Sequence, residues 1–119
     1  MSIPVSRLQR LLGSLILTAA GLLGPMTAAA NETGCTPQNV MVFESRVHVK
    51  CIETVGNIAF FAASTADSGH ASRVLNVLST ALAAGRTLSI IYDPADTSGA
   101  AFGCQANDCR IIQGVAFWQ

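Results

Sequence analysis

Four cysteines, Cys35, Cys51, Cys104 and Cys109, constrain the fold of this 119-residue chain more than any other feature. Fifteen residues separate the first two and four separate the last two, which fall in "GCQANDCR" (Gly103 to Arg110). Such pairs hold a metal, carry redox chemistry or staple turns, and the compartment decides among these. The start of the chain bears on the compartment. Arg7 and Arg10 precede a short apolar core, "LLGSLILTAAGLLG" (Leu11 to Gly24), and Ala28 and Ala30 place small residues before Asn31. That is the plan of a secretory signal peptide over residues 1–30. Its core is shorter than the roughly 20 residues that cross a bilayer, and no cysteine lies near the cleavage point to carry a lipid. The expectation is an exported protein, periplasmic or secreted, without a membrane span. Residues 31–119 then form a single small domain.

In a small exported domain, an even cysteine count reads as disulfides. Zinc fingers and ribbons want two closely spaced ligand pairs, and here only one pair is close. Thioredoxin-like sites use Cys-x-x-Cys at a helix start, whereas this spacing is Cys-x-x-x-x-Cys in a turn. Four cysteines allow three pairings. The two local ones, Cys35–Cys51 and Cys104–Cys109, are favoured, with chain-entropy contributions of about 3 and about 2 kcal/mol. No metal and no cofactor is expected. The mature segment keeps five basic residues, Arg46, Lys50, Arg73, Arg86 and Arg110, against seven acids. A weakly acidic domain without clustered Lys and Arg is a poor nucleic-acid binder.

"VMVFESRVHVKC" (Val40 to Cys51) alternates at period two. Met41, Phe43, Val47, Val49 and Cys51 make one apolar face, while the other begins apolar at Val40 and Val42 and turns polar at Glu44, Arg46, His48 and Lys50, as in a strand buried on both sides at its start and on one side later. Glu44-Ser45 is a bend that divides the run into two strands. "NIAFFAAS" (Asn57 to Ser64) is the next strand, and "TLSIIYD" (Thr87 to Asp93) and "RIIQGVAFW" (Arg110 to Trp118) are the last two. Between them, "TADSGHASRVLNVLSTALAAGRT" carries Ala71, Val74, Leu75, Leu78 and Leu82 at helical spacing. Asp67 or Ser68 caps its start and Gly85 its end. Its opposite face, Asn76, Thr80, Ala83 and Ala84, has Arg73 as its only charge, which fits either an alanine-rich helix lying on its own sheet or a helix lining a subunit interface. "PADTSGAAFG" reads as a loop. Three strands, a helix and two strands give a mainly β fold: an OB-like five-stranded barrel with the helix between strands 3 and 4.

No catalytic arrangement is expected. "DTSG" (Asp96 to Gly99) follows a proline turn and is turn chemistry, as are Asp93 and Asp96. No Gly-x-Ser-x-Gly, His-Glu-x-x-His or phosphate-binding glycine loop occurs. What remains is a binding face. Arg46, His48 and Lys50 point one way along a strand, as a solvated face or as a contact for an anionic ligand such as an acidic sugar. Tyr92 and Trp118 are amphipathic aromatics able to stack on a sugar ring, although a core place is the commoner fate of such residues.

"FFAAS", then "ASRVLNVLSTALAAGRTLSIIYD", then "GCQANDCR" together resemble the B subunits of subtilase cytotoxin and of pertussis-like toxins, over roughly residues 57–110. The shared features are a helix ending in glycine, an Ile-rich strand after it and a terminal Cys-x-x-x-x-Cys. The resemblance implies a pentameric ring that binds host glycans, often sialylated, with helices facing a central pore and an exported catalytic subunit as partner. No glycan-contacting residue of that family maps onto a position of this chain. The expected function is a non-catalytic, glycan-binding module. The alternative is a stand-alone envelope protein, structural or inhibitor-like, that binds another protein.

Overall fold

The structure, a computed structural model, describes residues 30–118. The leader expected over residues 1–30 lies, apart from Ala30, outside the described residues. Seven strands and one long helix follow in the order β1 (Asn31–Cys35), β2 (Pro37–Val42), β3 (Arg46–Val55), β4 (Ile58–Ser64), α1 (Ser68–Ala84), β5 (Leu88–Tyr92), β6 (Cys109–Ile111) and β7 (Gly114–Ala116). The fold is thus mainly β with one helix. A three-stranded sheet has the order β1-β5-β7 and a four-stranded sheet the order β2-β3-β4-β6. Neighbours are antiparallel except β4 and β6, which run parallel.

The two sheets are tied at two places. Thr36 alone separates β1 from β2, and Ile112 and Gln113 alone separate β6 from β7. Glu53 on β3 fixes the first crossing by accepting hydrogen bonds from the Thr36 backbone N–H at 2.7 Å and hydroxyl at 2.6 Å. The Cys35–Cys51 disulfide lies beside it, and a second disulfide joins Cys104 to Cys109. Both are the local pairings expected from spacing.

The helix is set by its caps. The Asp67 carboxylate accepts from the His70 backbone N–H at 3.1 Å, and Gly85 adopts φ 65°, the left-handed turn that ends a helix at little cost to glycine. Ala71, Val74, Leu78 and Ala81 are the residues it buries. Leu82, expected in that stripe, is 40% exposed instead. At about 100° per residue Leu82 points only about 60° from the centre of the buried stripe, but it lies in the last turn, where residues 82–87 are all exposed. Against this stripe pack Val47, Val49, Phe61, Ala63, Leu88, Ile90, Tyr92 and Ile112.

Three other expectations change. β1, "NETGC", was not foreseen, because only Cys35 in it is buried and no apolar alternation marks it. It exists through backbone pairing with β5. Met41 and Phe43 do not share a face with Val47 and Val49. The hairpin pairs Val42 with Val47 and Met41 with His48, so odd positions of β2 face with even positions of β3. The last stretch is two strands, and "SGAAF" (Ser98–Phe102) within the expected loop is a short 3-10 helix.

Candidate functional site

Period-two alternation on β3 turns Val47, Val49 and Cys51 into the core and leaves Arg46, His48 and Lys50 on the opposite face. On neighbouring β4, Phe61 points inward and Phe60 outward, opposite Lys50 in the register. Over this outer face closes the turn held by Cys104–Cys109. Its backbone is pinned to β4, since Ala59 and Phe60 N–H both donate to the Asp108 carbonyl at 3.1 Å. Arg110 braces the turn by donating to the carbonyls of Pro94 at 2.8 Å and Ala106 at 2.6 Å. The result is a cleft of about 220 Å³ lined by Arg46, His48, Phe60, Gly103, Gln105 and Asp108.

His48 is the organising residue, only 8% exposed. Phe60 meets its ring edge-on at 5.2 Å and Phe43 at 6.1 Å. Arg46 Nε donates to His48 Nδ1 at 2.9 Å. That bond requires an unprotonated Nδ1, so the imidazole is neutral with its proton on Nε2, directed at Cys109 Sγ 3.9 Å away. The Arg46 guanidinium also stacks 4.1 Å from the Phe43 ring centre, and its Nη1 donates to the Phe102 carbonyl and the Ser45 hydroxyl, each at 3.3 Å. Gly103 makes this possible. Its φ is 105°, and a Cβ there would stand 2.3 Å from Arg46 Nη1.

Burial lowers the His48 pKa below its usual 6.5, the Arg46 charge pushes the same way, and Asp108 partly opposes them. The unfolded chain therefore binds the proton more readily than the folded one. The stability owed to neutral His48 is present above about pH 6.5 and is lost as pH falls through the folded value. Urea titrations below pH 6.5 should show a loss of at most about 1.4 kcal/mol per pH unit from this one group. His48→Gln, which keeps an acceptor for Arg46 but no titration, should flatten the curve in that window. An unchanged slope in the variant would remove His48 as the cause.

Of the residues expected to touch a ligand, the cleft brings together Arg46 and His48. The Lys50 ammonium sits at its margin, 5.9 Å from the Phe60 ring centre. Tyr92 is not there. It is 2% exposed and packs edge-on against Phe61 at 5.1 Å, a core residue. Trp118 is exposed and donates its indole N–H to Glu32 on β1. His70 donates from Nε2 to the Ile112 carbonyl at 3.0 Å, beside a second cleft of about 260 Å³ between α1 and β7. Asp93 and Asp96 cap turns, accepting from the backbone N–H groups of Ala95 and Ser98, each at 2.9 Å. Asn76, Thr80, Ala83 and Ala84 lie exposed on the outer face of α1.

Sequence reasoning missed Phe60, Gly103, Gln105 and Asp108. Phe60 had a usable sign, since of two adjacent strand phenylalanines one must face away from the core. Among the described residues no group of three or more His, Cys, Asp or Glu side chains is placed to hold a metal, and no helix is long and apolar enough to cross a membrane. Comparison of the chain with protein-family models and with curated proteins finds no match.

Proposed function

We propose that this chain is an exported, OB-like, carbohydrate-binding module that works as a toxin-B-subunit-like ring. The strand order supports the fold. Joined across Thr36, β1 and β2 act as one bent barrel strand; joined across Ile112–Gln113, β6 and β7 act as another. Pairing then runs from the first strand through the second, third, fifth and fourth and back to the first, with α1 between the third and fourth in sequence. In OB-folds, ligands lie on the face of strands 2 and 3 between the loops that follow strands 1 and 4. The observation that carries the reading is that the Arg46–His48–Phe60 cleft occupies that place, with Phe43 in one such loop and Gln105 and Asp108 in the other. The two disulfides and the leader sequence support export. Glycan-array screening of residues 31–119, oxidised, is expected to return sugar ligands whose binding Phe60→Ala abolishes. An array without hits would leave the protein-binding envelope alternative in its place.

Assembly rests on α1. Its outer face is nearly devoid of charge, and the Thr80 hydroxyl folds back to donate to the Asn76 carbonyl at 2.8 Å. Such a face suits a pore or a neighbouring subunit. Light scattering should report more than one subunit, five by the toxin resemblance, and Ala83→Glu should shift it towards monomer. Glutamate is a good helix former, so in a monomer the change would be within about 0.5 kcal/mol of neutral. A native protein that is monomeric at high concentration sinks the ring.

A further inference from the structure

Resting on the carbohydrate reading of the same cleft, we infer that its ligand is a neutral sugar ring gripped by a vicinal diol, not an acidic sugar. The charges lining the cleft carry the inference. Arg46 supplies one cation and Asp108 one anion, and His48 adds none, because its Nδ1 is filled by Arg46 Nε. Lys50 adds a charge only at the margin, beyond the lining.

The hydrogen-bonding capacity left open sharpens the point. Nε and Nη1 of Arg46 are committed to His48, Ser45 and Phe102, and none of these bonds goes to Asp108. Among the described residues Nη2 has no partner. The backbone N–H and carbonyl of Asp108 are used within the protein, to Gln105 and from Ala59 and Phe60, which anchors the main chain from which its carboxylate reaches the cleft. A donor held by its neighbours and an acceptor on an anchored turn thus share one small cleft without bonding to each other. A hydroxyl both donates and accepts, so adjacent hydroxyls of a sugar can accept from Arg46 Nη2 and donate to Asp108 at once. A carboxylate can satisfy Arg46 but meets Asp108 with like charge. Phe60 offers apolar surface to the C–H face of the ring. A volume of about 220 Å³ is smaller than the roughly 300–1,000 Å³ of drug-sized sites and suits a single ring.

The test is an NMR titration of the oxidised domain, residues 31–119, with methyl galactoside, methyl mannoside, galacturonic acid, N-acetylneuraminic acid and, as a zwitterion, alanine. A neutral glycoside should move the amide signals of Gly103, Gln105 and Asp108, and bind at least about tenfold more tightly than its uronic acid or a deoxy analogue lacking one hydroxyl of the pair. Asp108→Asn should narrow the preference for neutral over acidic sugar. Arg46→Lys, which keeps the charge but loses the guanidinium fork, should weaken the neutral sugar. Should Asp108→Asn disturb the turn, Gln105→Ala, at an exposed position, provides the second variant and should also weaken the neutral sugar. Tighter binding of an acidic sugar or of alanine at these amides overturns the inference and leaves a binding cleft standing. Glycoside binding that moves other amides overturns it as well. Failure of every sugar to bind overturns the carbohydrate reading itself.

Discussion

Replacing both cysteines of the first disulfide, Cys35→Ala with Cys51→Ala, is expected to lower stability by about 3 kcal/mol. The bond spans 16 positions and ties the end of β1 to the middle of β3. Opening it returns to the unfolded chain the entropy that a closed loop of this size denies it. A domain of this length holds only about 5–15 kcal/mol in total, so the thermal midpoint should fall by roughly 12–24 °C. The effect should exceed the loop-entropy value if anything, since both sulfurs are buried in the core and their removal also leaves space there. The second bond behaves differently. Its five-position loop contributes only about 2 kcal/mol, but Cys104→Ala with Cys109→Ala frees the turn that carries Gln105 and Asp108 to the cleft. One variant should therefore cost mainly stability, the other mainly the site. Denaturation curves with and without reductant separate them. A loss below about 1 kcal/mol for the first pair would mean that the β1–β3 link constrains nothing.

Much of this arrangement was legible because it is local. The disulfides follow from loop size, and the helix from Asp67 and Gly85 at its ends. The outward face of Arg46, His48 and Lys50 follows from alternation. What escaped depends on contacts between distant segments. β1 carries almost no apolar pattern, because it meets the fold with its backbone and with one buried cysteine. Met41 and Phe43 changed faces because the hairpin between β2 and β3 sets opposite parities against each other, which alternation along one strand cannot reveal. The cleft itself is half strand and half turn. Nothing in "GCQANDCR" states that its turn folds back over β3, since that is decided by the hydrogen bonds from Ala59 and Phe60 to Asp108. Tyr92 is a different case. Burial on β5 alternates at Leu88, Ile90 and Tyr92, and the same alternation in "LSIIY" already placed the tyrosine with the two aliphatics. Its amphipathic type suggested a ligand contact; its position on the strand made it core.

The adjacent pair Phe60 and Phe61 gives the sharpest separation of fold from function. They are the same residue type on one strand, one residue apart, and the pleat sends them to opposite faces. Phe61 is 2% exposed, packs edge-on against Tyr92 and belongs to the main core with Val49 and Leu78. Truncating it removes its transfer energy and leaves a cavity between sheet and helix, so Phe61→Ala should cost about 3–5 kcal/mol. That approaches the whole stability of a small domain, and the variant is expected to be largely unfolded at 37 °C. Phe60 is only partly buried and faces His48, the second disulfide and the cleft. Phe60→Ala should therefore cost at most about half as much, because solvent can fill the space that the ring leaves. It should nevertheless remove sugar binding, since among the described residues Phe60 is the one phenylalanine, tyrosine or tryptophan in the cleft lining. Circular dichroism and urea denaturation read the first effect, and the glycan titration reads the second on a folded protein. If Phe60→Ala proved as destabilising as Phe61→Ala, the outer face of β4 would be a second core and not the wall of a binding site. If Phe60→Ala bound sugar normally, the cleft would not be where the ligand sits.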